Sequence, residues 1–410
     1  MPNKTTLLSS PARLSQASEA SCDPSLPIPR LILVGGFLGA GKSTLLAQAA
    51  LRLSKLGHRV GLVANDQAAE LVDSEVLKIT GASVEEVAGG CFCCRFPDMI
   101  TALERLAQRD HADVLLGEPV GSCTDLAATV MRPLKQFHAA QFNLAPLSVL
   151  VDGNQVRVLA RLRTATEQRA VPGRFPDNVL YIYEKQLEEA DIIVLNKADR
   201  LAAGEEAELT ASLAARFPGK PLMTMSALSG EGVDAWLRGV AEHRPAGRNV
   251  VEVDYDTYAA GEAALGWLNA SVALHALGPL DWRGFAEDLL EEIRRELAAR
   301  GAEIAHIKLI IGRGHESLTG NVTSNHGPAF VQGRLDPAAS QFAMRINARV
   351  HLGPDKLQAI VEDALRAAAG GHRARHGRLE ATITALSSLR PGRPVPTHRF
   401  APCRTHHGGA

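Results

Sequence analysis

This chain has almost no net charge, no long hydrophobic run and too few cysteines for a disulfide framework. Its 410 residues carry 44 Lys+Arg against 45 Asp+Glu, a formal charge of −1. That balance gives no electrostatic reason to expect nucleic acid or a membrane surface as partner. No stretch approaches the ~20 apolar residues that a membrane-crossing helix requires. The first 29 residues are rich in Ser, Ala and Pro and lack a secretory signal core, and Glu19 and Asp23 argue against organelle targeting. They read as a disordered leader. The six cysteines are Cys22, Cys91, Cys93, Cys94, Cys123 and Cys403. Three crowd into four positions, which points to a reducing, cytoplasmic compartment with thiols kept for metal or redox work.

What is present is enough for two domains and a sizeable core, since apolar residues make up 46% of the chain. The organising stretch is Leu31–Thr44, an apolar run, a glycine-rich turn and the start of a helix. Gly36, Gly41, Lys42 and Ser43 fit G-x-x-x-x-G-K-[ST], the phosphate-binding loop. Glycine lets the backbone curl around phosphate oxygens, and the following helix N-terminus adds positive charge. Gly36, Gly39, Ala40, Gly41, Lys42, Ser43 and Thr44 are the expected cradle. Lys42 would neutralise the outer phosphates and Ser43 would hold Mg²⁺.

Strands and helices alternate from residue 31 to about 240. Expected strands are Leu31–Val34, Val60–Ala64, Val84–Val87, Asp113–Leu116, Leu147–Val151, Ile192–Leu195 and Leu222–Met225, with helices at Ser43–Lys55, Pro97–Arg109 and Glu205–Arg216. This alternation predicts an α/β fold, a mostly parallel sheet covered by helices, with ligands at the carboxyl ends of its strands. A polar linker at 243–249 leads into a second unit at 250–389. There the expected order is a strand at Val250–Val253, helix Trp282–Arg300, strands His306–Ile311 and Phe342–Val350, helix Asp355–Ala369 and strand Leu379–Leu386. That order suggests a small α+β domain of ferredoxin-like type. Residues 390–410 read as a mobile tail.

Asn196-Lys197-Ala198-Asp199 fits N-K-x-D, in which the aspartate accepts both N–H donors on the guanine edge. Ser226-Ala227 follows at the next strand end, where a backbone N–H meets the guanine oxygen. Adenine would leave the carboxylate unpaired, so GTP is expected over ATP. Cys91-Phe92-Cys93-Cys94 follows Gly89-Gly90. Thiols at i and i+2 of an extended segment face one way, and the third joins if the backbone turns. Three converging thiolates suit Zn²⁺, Cu⁺ or Co²⁺ better than Mg²⁺ or Ca²⁺. A redox pair and buried apolar cysteines are the competing readings. A tetrahedral site needs one more ligand: water, a histidine or a second subunit, which makes a GTP-dependent homodimer conceivable.

Taken together, G-G-F-L-G-A-G-K-S-T, G-G-C-F-C-C, E-P-V-G and N-K-A-D over residues 31–240 resemble the CobW-like metallochaperone family of P-loop GTPases. The resemblance implies GTP-dependent delivery of a metal ion to a client metalloprotein or cofactor pathway. It implies that Cys91, Cys93 and Cys94 are metal ligands. It makes Glu118 the metal-side carboxylate, although a strand-end acid could be structural, and Gly121 the γ-phosphate-sensing glycine. Where the family commonly has N-E, this chain has Asn65-Asp66, closer to the nickel-handling GTPases. Asp66 is therefore a candidate for positioning the attacking water or for the Mg²⁺ shell, and zinc, cobalt and nickel all stay open.

Softer candidates are Cys123, read chiefly as a packed small residue; Asp152, a helix cap; and His306, His315, His326, His372, His376, Cys403, His406 and His407. A rival function for the same residues is a metal- or redox-sensing regulatory GTPase that transfers no metal.

Overall fold

The computed structural model describes residues 28–66, 81–164, 175–242, 244–313, 316–325, 327–370 and 377–401. Cys22, His315, His326, His372, His376, Cys403, His406 and His407 lie outside the described residues, as does the leader through residue 27.

The first sheet is built from β1 (Arg30–Gly36), β2 (Val60–Asp66), β3 (Ser83–Ala88), β4 (Val114–Glu118), β5 (Asn143–Leu144), β6 (Ser148–Asp152), β7 (Ile192–Asn196) and β8 (Leu222–Thr224). Its order is β3-β2-β4-β1-β6-β7-β8, with β5 beside the start of β1. The paired strands run parallel. Burial explains the unbroken apolar runs: β4, β6 and β7 are buried at every residue, because helices cover both faces. α1 (Lys42–Lys55) turns Leu45, Leu46, Ala49 and Ala50 inward, and α2 (Phe96–Gln108) does the same with Met99, Ile100, Leu103 and Leu106. With β1 central, the turn that follows it opens between the ends of β4 and β6, where connections diverge to opposite sides.

A connector then departs from expectation. Val250–Val253 pairs with no strand; Val253 is instead buried in the core of the first sheet. Its apolar character serves packing, and Asp254 caps the helix that follows, α3 (Tyr255–Ala263), through the N–H groups of Asp256 and Thr257.

The first strand of the second unit is β9 (Gly266–Ala276), a run of alternating buried and open residues. The unit continues through α4 (Trp282–Ala299), β10 (Ile304–Arg313), β11 (Glu316–Val322), β12 (Phe330–Gly333), β13 (Gln341–Val350), α5 (Pro354–Gly370) and β14 (Leu379–Leu389). The sheet order β12-β11-β10-β13-β9-β14 is antiparallel throughout. Without the β11–β12 extension it is the strand–helix–strand–strand–helix–strand arrangement expected of a ferredoxin-like unit. Among the described residues no helix is long and apolar enough to cross a membrane.

Candidate nucleotide and metal site

The turn after β1 has the backbone that its glycines permit. Gly36, Gly39 and Gly41 have φ of 127°, 75° and 100°. A Cβ on Gly36 would strike the Leu150 carbonyl, and one on Gly41 the Asn196 amide. Lys42 Nζ donates to the Gly36 carbonyl at 2.9 Å, curling over the loop. Ser43 Oγ donates to Glu118 Oε1 at 3.0 Å, so two buried hard oxygens meet at the loop's helix end. That donor set suits a small hard cation such as Mg²⁺.

At the other end of the cleft, Asn196 ties three segments together. Its amide donates to the Ala40 carbonyl at 2.8 Å, and its oxygen accepts from the Ala227 N–H at 2.9 Å. Ser226 Oγ donates to Asp199 Oδ1 at 2.5 Å, which aims an exposed carboxylate into the cleft. Lys197, at a left-handed φ of 62°, pairs with Asp152 at 2.8 Å. Asp152 Oδ1 also accepts from the Gln155 N–H, the cap role read from sequence. The cleft holds about 580 Å³ and is lined by Gly39, Lys42, Ser43, Gly121, Asn196 and Asp199 among others. That volume is of the size that holds small-molecule ligands.

The second sheet forms the facing wall. On β10, Ile307 and Leu309 point into the core, while His306 and Lys308 line the cleft. Lys308 Nζ donates to Ser43 Oγ at 2.9 Å. A Cβ on Gly39 would sit 3.0 Å from the Thr323 side chain, so the phosphate loop and second unit are in contact.

The cysteines lie beyond β3. Gly89 and Gly90 have φ of 80° and 158°, and the chain then winds into a helical turn, with the N–H groups of Cys94 and Arg95 donating to the Cys91 carbonyl. The segment is thus a turn and not extended, and it brings i, i+2 and i+3 together. Cys91 Sγ lies 2.8 Å from Cys93 Sγ and 3.1 Å from Cys94 Sγ, and the latter two are 3.8 Å apart. A tetrahedron of sulfurs about 2.3 Å from zinc has edges near 3.8 Å, so small adjustments accommodate an ion. Cys91 and Cys93 are buried beside Phe92 and Phe96, while Cys94 is half-buried.

Cys123, read from sequence chiefly as packing, also hydrogen-bonds the Cys91 sulfur. Bonds from Cys123, Cys93 and Cys94 hold the Cys91 thiol far below its ordinary range. Their bonds to the Cys91 sulfur push Cys93 and Cys123 well up, and Cys94 to about 11. One thiolate stabilised by neighbouring thiols is the arrangement a soft cation would replace.

Asn65 connects the two centres. It lines the cleft, donates to the carbonyls of Val87 at 2.8 Å and Gly90 at 2.7 Å, and accepts from the Phe92 N–H at 2.8 Å. The Gly121 loop is a second connection. A Cβ on Gly121 would meet Leu38 of the phosphate loop at 2.7 Å, and Gln186 Nε2 grips the carbonyls of both Gly121 and Cys123. Asp66 ends β2 at this edge; its side chain lies outside the described residues.

Residues 390–401 do not form the loose tail expected from their composition. They run back across the cysteine turn. The Thr397 N–H donates to the Cys93 carbonyl at 2.8 Å, the Val395 backbone to the Cys94 sulfur, and the Phe400 N–H to the Ala128 carbonyl at 3.1 Å. His398 stacks between Phe96 and Phe137, and Arg399 pairs with the fully buried Asp125 at 2.6 Å. Sequence reasoning passed over this strap, Asn65 and Lys308. For Lys308 the signal was available: it alternates with His306 on an otherwise apolar strand.

Residues 30–223 match the family model described as "CobW/HypB/UreG, nucleotide-binding domain". Similar relatives include the zinc chaperone CobW of Sinorhizobium sp., 30% identical over 52% of this chain and 62% of that one. The zinc chaperone YeiR of Escherichia coli is 29% identical over 44% and 50%. The chain thus spans about half to two thirds of the length of these relatives. Among solved structures, the hydrogenase maturation factor HypB of Archaeoglobus fulgidus aligns over 52% of this chain and 91% of its own at 22% identity and a TM-score of 0.34. Zn(II)-bound YjiA GTPase of E. coli aligns over 83% and 99% at 14% identity and a TM-score of 0.34. With its glycine-rich loop, its Asn196–Asp199 corner and its three-cysteine turn on one parallel sheet, the chain is similar over residues 30–223 to the nucleotide-binding domain of the CobW/HypB/UreG family.

Proposed function

We propose that the protein hydrolyses GTP to GDP and uses the change of nucleotide state to hold and hand over a transition metal to a client metalloprotein. The observation that carries this reading is Asn65, which lines the nucleotide cleft and holds the cysteine turn. Lys42 neutralises the outer phosphates. Asp199 accepts the guanine N–H donors, with Ser226 fixing its carboxylate. Ser43 and Glu118 would hold Mg²⁺, which would offset the charge on the outer phosphate oxygens. Asp66, at the same strand edge, is the candidate for orienting the attacking water. Gly121 senses the terminal phosphate through its contact with the phosphate loop.

The cargo ion is a soft or borderline cation. Zinc is favoured by the names of the relatives and by the thiol set, with cobalt or nickel next. Cys91, Cys93 and Cys94 are its ligands. Cys123, which touches the Cys91 sulfur but stands outside the group of three close sulfurs, is the candidate within the chain for a fourth thiol. GTP orders the Gly121 loop and with it Cys123; hydrolysis loosens both. Coupling of this kind is reciprocal, so metal must tighten GTP as much as GTP tightens metal.

The test is zinc affinity of the purified protein with a non-hydrolysable GTP analogue and with GDP, beside a triple Cys→Ser variant at 91, 93 and 94. Tighter binding in the triphosphate form, lost in the variant, is expected. Equal affinity in both forms defeats the reading. Metal that never passes to an acceptor protein would favour a sensor that keeps its ion.

A further inference from the structure

The second sheet reaches the phosphate corner through Lys308. Its ammonium lies 2.9 Å from Ser43 Oγ, one residue beyond the phosphate-loop lysine, and the same hydroxyl contacts Glu118. Three observations make this more than a passing contact. β10 presents Lys308 and His306 on its cleft face, while Ile307 and Leu309 anchor the other face in the second core, so the lysine stands on a rigid element. Thr323, next to β11, packs on Gly39, which fixes the second unit against the loop. The surroundings are already cationic: burial takes His306 down to about 3, and Lys197, Lys42 and Arg349 push the same way, so its ring stays neutral. Lys42, Lys197, Lys308 and Arg349 all line the cleft. Cations that line one cleft are stabilised by an anion of high charge.

We propose that Lys308 contacts the terminal phosphate of bound GTP and stabilises the charge on it during hydrolysis, so that the second unit is part of the GTPase site and distinguishes GTP from GDP. This rests on the GTPase reading above. In the reaction, a water oxygen bonds to the γ-phosphorus and the bond from that phosphorus to the β–γ bridging oxygen breaks. The electron pair leaves with GDP, and the water proton passes to the phosphate product or solvent. Charge spreads over the γ-oxygens and the leaving oxygen as this happens, and a positioned cation there lowers the barrier. Among the described residues lining the cleft, Lys308 is a cation that the first unit does not supply. A lysine acts here as a point charge, so arginine should substitute in part.

The experiment uses the full chain with Lys308→Met, which keeps most of the aliphatic stem, and Lys308→Arg. Competition against a fluorescent GDP measures affinity for GDP and for GTPγS; single-turnover assays measure hydrolysis. Lys308→Met should reduce the preference for GTPγS over GDP by about tenfold or more and slow hydrolysis by about 10²-fold, the scale of one lost charge-stabilising donor. GDP affinity and the thermal midpoint should hold, and Lys308→Arg should recover part of both losses. A purely structural role would lower the midpoint and weaken both nucleotides equally, which overturns the proposal. So does unchanged discrimination in a wild type that binds and hydrolyses GTP, which leaves the GTPase reading standing. A wild type that binds no guanine nucleotide sinks both.

Discussion

Asn65 and Phe92 join the cleft to the cysteine turn: the Phe92 N–H donates to Asn65 Oδ1 at 2.8 Å, from inside that turn. The Asn65 amide holds the turn's entry through the Val87 and Gly90 carbonyls. Asn65→Ala removes three hydrogen bonds, two of them buried, and should destabilise the fold by about 2 to 4 kcal/mol. The informative readout is the ratio of zinc affinities in the GTP-analogue and GDP forms, which should fall toward one. A ratio that survives the substitution would mean that coupling runs through the Gly121 loop alone.

Cys123 provides a graded test of the four-thiol set. Cys123→Ser keeps the size but exchanges a soft sulfur for a hard, poorly ionised oxygen, and should weaken zinc binding by about 10- to 100-fold. Nucleotide affinity in metal-free protein should stay unchanged, since the cradle does not use this side chain. Competition with a chromophoric chelator measures the first, and GDP titration the second. Zinc affinity identical to wild type would return Cys123 to a packing role.

Arg399→Ala should release the strap. Asp125 has no exposed surface, burial pushes its carboxyl up, and Arg399 opposes that shift. Removing the partner of a buried charge costs about 3 to 5 kcal/mol when the charge has nowhere to go. Here detachment of the chain end wets the site, so the loss should be smaller. Chelator stripping of zinc-loaded protein should become several-fold faster. A stripping rate equal to that of wild type would show that the strap does not limit access.

Glu262 on the connecting helix sets a pH dependence of stability. Burial raises its carboxyl to about 8 against an ordinary 4.5, although the Ser122 hydroxyl donates to it at 2.5 Å and pulls the other way. Between those values the folded chain holds a proton that the unfolded chain has released. The stabilisation is therefore complete below about pH 4.5 and is lost as pH rises through about 8. Glu262→Gln should remove this dependence. The stability of wild type relative to the variant should fall by up to about 4 kcal/mol between pH 5 and pH 9 in denaturant titrations. A constant difference across that range would show that the carboxyl titrates normally.

Much of this architecture is legible in the sequence. The Glu205–Arg216 helix is where its pattern puts it, and the strands around Leu31, Ile192 and Leu222 begin within one residue of expectation. Strands buried on both faces leave unbroken apolar runs, and such runs are hard to miss. β9 was missed because Asn269, Ser271 and His275 on its open face break up the apolar run, so alternation has to be counted residue by residue. Val250–Val253 misled for the opposite reason: apolar residues in a connector can pack on a neighbouring core without pairing. Motifs located the phosphate cradle and the thiols, because both chemistries need fixed local spacing. They could not locate Lys308, Arg399 or the role of Cys123, whose partners lie 265, 274 and 32 positions away in the chain. Contacts of that range carry no local spacing to read.

The strap also bears on how cargo leaves. Because Thr397 is bonded to the backbone of Cys93, and Val395 to the sulfur of Cys94, this segment covers the cysteine turn where, on the proposed reading, an acceptor would have to approach. On the proposed reading, an acceptor able to peel that peptide away would gain entry to the thiols. On the same reading a protein lacking that ability is kept out, so the choice of recipient would depend on residues 395–400 as much as on the thiols.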